Sequence, residues 1–195
     1  MENSSNKSLI KRIIIAVAIM VLLLVIDIVS KLVVHNYFNH DASMPAITVI
    51  EDFFWIDLTY NPGALAGIFS GLEGGRVLLS ILSIIGSVAS IWYLVKKFNN
   101  LNIWYRIALY LFIPGCIGNL IDRVNIYNTP GVIDFLSFKL FGFYYFPVFN
   151  FADMCLTISI FVFAIGALFF VKDEKKDDEV KVEEKEEVVD EVNHE

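Results

Sequence analysis

Asp27, Asp122, Asp134 and Asp153 lie in or beside long apolar stretches of the chain, where an ionisable group is costly and needs a reason. Two carboxyls brought close in a poorly hydrated site cannot both ionise easily, so they tend to share one proton. One can then draw a proton from water while the other donates to a carbonyl oxygen under attack. Such chemistry requires neither a metal nor a nucleophilic side chain, and the other reactive residues form no competing set. Cys116 and Cys155 sit in apolar runs without ligand spacing, and the three histidines include no HExxH. Ser30 and Lys31 are adjacent, so on a helix they point about 100° apart and are poorly placed to bond each other.

The same residues also admit structural readings. Lys31 follows Asp27 by four residues, on one helix face and within pairing reach. Asp122 and Arg123 are neighbours beside Asn119 and read most simply as a polar knot at a helix end. Asp134 and Asp153 have no cation within helical reach, and their spacing alone leaves structure and catalysis both open.

The elements that position these groups follow from hydropathy. Of the 195 residues, 56% are hydrophobic and 17 are Phe, more apolar surface than a soluble domain of this length can hide. Four stretches, near residues 10–34, 76–98, 103–122 and 149–171, approach the roughly 20 residues that cross a bilayer as a helix. The first has Lys7, Lys11 and Arg12 ahead of its apolar core, as a signal peptide does, but the core is too long and has no small-residue cleavage site, so it reads as retained. Lys7, Lys11, Arg12, Lys96, Lys97, Arg106 and five tail lysines fall on one side; Lys31, Arg76, Arg123 and Lys139 fall on the other. By the positive-inside bias both termini are cytoplasmic, and residues 35–75 and 123–148 face outside. Asp27, Asp122, Asp134 and Asp153 then arrive at one level, the outer leaflet. The expected fold is an all-α membrane protein, four transmembrane helices in a single domain over residues 1–171, with a small extracytoplasmic β element.

That β element is read from Ile47 to Tyr60, rich in β-branched and aromatic residues, with turns at Glu51-Asp52 and Asn61-Pro62-Gly63. Residues 172–195 hold 12 acids and 5 lysines, which accounts for the whole net charge of −7 and reads as a solvated, disordered cytoplasmic tail. Two non-enzyme readings compete. An ion-coupled transporter would carry its acids at mid-membrane in two similar halves, and no halves repeat here; an assembly subunit would use its polar residues only to bind helices together.

Five motifs in order resemble those of the bacterial lipoprotein signal peptidases, or signal peptidase II. They are Asp27-Ile28-Val29-Ser30-Lys31, Asn61-Pro62-Gly63-Ala64, Gly118-Asn119-Leu120-Ile121-Asp122-Arg123, Val132-Ile133-Asp134-Phe135 and Phe146-Pro147-Val148-Phe149-Asn150-Phe151-Ala152-Asp153. The resemblance implies a cofactor-free aspartyl endopeptidase of the bacterial cytoplasmic membrane, with no nucleic-acid partner. Its substrate would be a prolipoprotein, entering from the lipid and cut before a cysteine that carries diacylglycerol. By the same resemblance Asp134 and Asp153 are the catalytic pair. Asn119, Arg123, Asn150, Asn61 and Gly63 would bind substrate or orient the pair, with Asp27, Lys31 and Asp122 in support.

Overall fold

The computed structural model describes residues 2–62, 74–124 and 126–169. Gly63 and the acidic tail lie outside them. Among the described residues four helices are long and apolar enough to cross a membrane: α1 (Glu2–Tyr37), α2 (Gly75–Lys97), α3 (Ile103–Arg123) and α4 (Phe151–Phe169). Their ends carry local signals. Asn102 caps α3, its side-chain oxygen accepting from the Trp104 N–H at 3.0 Å. Gly74 starts α2 at φ 94°, a backbone region that favours glycine. Lys96 and Lys97 close α2, where cations complement the helix dipole.

The helices are arranged around α3, which packs against each of the other three. Small residues permit this. A Cβ on Gly115 would lie 2.8 Å from Leu156 Cγ and 2.9 Å from the Ala152 carbonyl, and one on Gly166 would lie 2.9 Å from Trp104 Cβ. Close backbone approach through small residues is the usual way helices associate in lipid, where apolar burial gives no net drive. Polarity runs inside out: Ile14, Leu22, Val88 and Phe161 are exposed, whereas Asp27, Lys31, Asn119 and Asp122 are at most 1% exposed.

Beside the bundle lies one antiparallel sheet, in the order β1 (Ile47–Ile50), β2 (Phe54–Asn61), β3 (Val132–Leu140), β4 (Tyr144–Tyr145). The expected Glu51-Asp52 turn joins β1 to β2, with Asp52 at φ 56°. The sheet is larger than the sequence indicated. Residues 123–148 read as a loop, yet they contain β3 and β4, so the chain is all-α only in its spans. Burial explains the miss: Val132, Ile133, Asp134 and Phe135 are all buried, which removes the alternation that identifies a half-buried strand.

Two pairings set the position of the site. Strand β2 meets β3 with Thr59 opposite Asp134 and Asn61 opposite Val132. The chain then returns to β3 just before α4, where Phe149 N–H donates to the Leu136 carbonyl at 3.1 Å and Leu136 N–H donates back at 2.8 Å. This bridge holds the start of α4 against the strand that carries Asp134. A core of Val34, Phe38, Leu58, Ile133 and Phe135 fastens the sheet to the end of α1.

Candidate active site

Lys31 occupies the base of the site. Its ammonium has three donors, and three acceptors meet it: Asp27 Oδ2 at 2.8 Å, Asp122 Oδ2 at 2.9 Å and Asn119 Oδ1 at 3.2 Å. The expected Asp27–Lys31 pair is therefore present, and Asp122 joins it rather than pairing with its neighbour Arg123. The Ser30 hydroxyl donates to the Asp27 carbonyl at 2.9 Å, within its own helix, and takes no part with Lys31.

Asp27 does a second job. Its Oδ1 accepts from the backbone N–H of Ala152 at 2.8 Å, satisfying one of the free donors in the first turn of α4. Gly118 makes room for it, since a Cβ there would run into Asp27 Oδ2 and come within 3.2 Å of Ala152 Cβ.

Asn150 caps α4 and links the two candidate aspartates. Its side-chain oxygen accepts from the Asp153 N–H at 3.0 Å, while Asp153 Oδ2 accepts from the Asn150 N–H at 3.2 Å. This is the reciprocal geometry of a capping box, with Asn and Asp in place of the usual Ser and Glu. The Asn150 amide nitrogen meanwhile donates to Asp134 Oδ1 at 2.6 Å and to Asn119 Oδ1 at 3.0 Å. Asn119 Nδ2 donates to Asp153 Oδ1 at 2.7 Å, and Asn61 Nδ2 donates to Asp134 Oδ2 at 3.0 Å. Each carboxylate is thus held by a donor on each oxygen.

Electrostatics distinguish the two. Asp134 is 1% exposed, and burial, followed by the nearby charge of Asp153, raises its carboxyl to about 7 against the lowering effect of the Asn61 and Asn150 bonds. Asp153 sits in the first turn of α4, where it accepts from Asn119 Nδ2 and the Asn150 N–H. Arg123 lies within electrostatic reach of both aspartates; its Nη1 donates to Ser83 Oγ at 3.0 Å, and its Nε is buried without a hydrogen bond among the described residues. Arg76 ties the carboxyl end of α3 to α2, donating to the Arg123 carbonyl at 2.7 Å and the Asp122 carbonyl at 3.2 Å.

The structure therefore gathers Asp134, Asp153, Asn119, Asn150, Asn61, Asp27, Lys31 and Asp122 into one network, with Arg123 at its edge; Gly63 lies outside the described residues. Sequence reasoning missed Gly118, Gly131, Ser83 and Ala152 as parts of the site. Gly131 is packed so tightly on Asn61 that a Cβ there would overlap the Asn61 backbone and lie 2.9 Å from Pro62 N. Gly118 and Ala152 lie within the quoted motifs and Gly131 directly before one, so small size beside a polar residue was the available signal for them; Ser83, in α2, had none. No group of three or more His, Cys, Asp or Glu suited to a metal ion occurs among the described residues.

Comparison with known proteins agrees with the fold and the motifs. The profile of the family described as signal peptidase (SPase) II matches residues 19–169. A lipoprotein signal peptidase of Pseudomonas fluorescens is 38% identical over 151 residues, covering 74% of this chain and 82% of the relative. One from Clostridium acetobutylicum is 40% identical, covering 69% and 81%, and one from Staphylococcus aureus is 34% identical, covering 85% and 94%. A bacterial membrane enzyme solved at 1.9 Å superposes with a TM-score of 0.63 at 30% identity, over 80% of this chain and 94% of that one. With its four apolar helices and its ordered polar motifs, the chain belongs to the signal peptidase II family of membrane proteases.

Proposed function

We propose that this protein removes the signal peptide from bacterial prolipoproteins, cutting before a diacylglyceryl-modified cysteine with water activated between Asp134 and Asp153. The observation that carries the reading is Asn150, whose side-chain amide holds Asp134 and whose backbone N–H holds Asp153. A residue that caps a helix has no need to bind a buried carboxyl on a separate strand; one that must fix two carboxyls relative to each other does. The substrate class comes from the relatives, which are lipoprotein signal peptidases.

In this mechanism the shared proton rests on Asp134, whose carboxyl stays largely neutral up to about pH 7. Asp153 accepts a proton from water as the water oxygen bonds to the scissile carbonyl carbon, and Asp134 gives its proton to the carbonyl oxygen. The resulting diol collapses as one hydroxyl returns its proton to Asp134 and re-forms the C=O bond, the C–N bond breaks, and the proton held by Asp153 passes to the departing cysteine nitrogen, which restores both carboxyls to their starting states. Asn119, Asn150 and Asn61 fix the carboxyls, and the Arg123 guanidinium offsets negative charge as it develops. Asp27 holds the first turn of α4 and so acts through Asp153, with Lys31 pairing Asp27 and Asp122 beneath it. Both termini face the cytoplasm and the site faces the outer leaflet, on the strength of the basic-residue bias.

The test compares wild type, Asp134→Asn and Asp153→Asn in membrane preparations supplied with a prolipoprotein precursor. Cleavage by the wild type alone, and of the diacylglyceryl-modified precursor alone, supports the assignment. Equal cleavage of the unmodified precursor would remove the lipid requirement, and cleavage by either folded variant would remove the aspartate pair.

A further inference from the structure

Because α1 and α2 each pack on α3 but scarcely touch each other, a cleft of about 380 Å³ opens between them, in the half of the bundle away from the aspartates. Ile113, Pro114 and Ile117 of α3 form its floor, and its walls are hydrocarbon. On α1 the lining runs from Ile13 to Leu24, about 16 Å at 1.5 Å per residue. That is close to half of the roughly 30 Å hydrocarbon thickness, so the cleft is one leaflet deep. It stops about one turn short of Asp27.

The far end of the cleft is cationic. Phe98 lines it there, and the guanidiniums of Arg12 and Arg106 each lie 5.6 Å from the Phe98 ring centre. Arg106 Nη2 donates to the Phe98 and Leu101 carbonyls at 3.1 and 2.9 Å, while its Nε is buried without a hydrogen bond among the described residues. Lys11, Lys96 and Lys97 are exposed at the same end, and none of the side chains described there is a carboxylate to offset them.

The geometry points to a binding site for one anionic phospholipid of the leaflet opposite the aspartates, with an acyl chain in the α1–α2 cleft and its phosphate against Arg12 and Arg106. The apolar wall suits an alkyl chain, and guanidinium matches phosphate in charge and in paired-donor geometry. A signal-sequence helix is disfavoured there, because its own basic amino-terminal end would meet Arg12 and Arg106 with like charge.

Native mass spectrometry of the full chain, released from detergent with phosphatidylglycerol or phosphatidylcholine of identical acyl chains, tests the site without reference to peptide cleavage. The wild type is expected to retain one phosphatidylglycerol in preference to phosphatidylcholine. Arg12→Gln should lower that retention about fivefold, the worth of one basic side chain against an anionic headgroup, and leave phosphatidylcholine unchanged. Val95→Trp, which places a ring in the cleft from an exposed position on its wall, should lower retention of both lipids. Arg106 is a poorer probe because it also binds two backbone carbonyls. Equal retention of both lipids by the wild type, or no effect of either substitution, would overturn the proposal. So would stoichiometric displacement of phosphatidylglycerol by a synthetic signal-sequence helix, which would assign the cleft to a peptide.

Discussion

Lys31 neutralises one of the two buried acids it touches, so its loss should leave both Asp27 and Asp122 without a counter-charge. Breaking a buried pair from one side typically costs about 3–5 kcal/mol. Lys31→Met is therefore expected to lower the thermal unfolding midpoint in detergent steeply, and an unchanged midpoint would show that the acids do not depend on it. Asp134 behaves oppositely. Its carboxyl is raised to about 7 in the fold, so it contributes stability at low pH that is lost as pH rises through that value. Asp134→Asn should lose at least about 10²-fold in cleavage while remaining folded, and its unfolding midpoint should fall less than the wild type's between about pH 4 and about pH 7. In the wild type, kcat/KM should decline above about pH 7 as the donated proton is lost; a profile flat to about pH 9 would place the acid elsewhere. The sequence made the four acids and the Asp27–Lys31 spacing legible. It could not show the role of Asn150, because one residue serving two carboxyls depends on β3 and α4 meeting through the Phe149 bridge, a contact with no periodic signature.

Among the elements, the four apolar helices were legible because long apolar runs need no partner to be recognised. Strand β3 was not, because it pairs with β2 some 70 residues earlier in the chain and is buried on both faces where it meets the bundle. What joins the elements is small-residue packing, and this can be tested selectively. Gly118→Ala drives a methyl into the Asp27 carboxylate, displacing the group that holds the Ala152 N–H, and should cost about 1–3 kcal/mol as an overpacked site with a larger loss of cleavage. Gly86→Ala is the matching control, since its methyl would meet only the Phe112 and Cys116 side chains, at 3.4 Å or more. If both variants behave alike in cleavage and unfolding assays, the glycine at 118 serves general helix packing and not the site.

For the whole molecule, the inside-out distribution of polarity means that lipid faces most of the helical surface while the polar network is enclosed by four helices and a sheet. The proposed orientation places the turn Phe141–Phe143 outside and Asn99 inside. An alkaline phosphatase fusion should accordingly be active at the first and silent at the second; the reverse result would invert the topology. The enclosed network also bears on how the protein is made. Asp134 can be complete as a residue long before it has a partner, because Asn150 and Asp153 belong to the last span, and the start of that span is secured by α1 through Asp27 and by α3 through Asn119. On the proposed mechanism, Asp134 lacks its partner carboxyl until the fourth helix has entered the membrane and docked, so the nascent chain would stay silent through most of its own synthesis and gain competence with the insertion of α4.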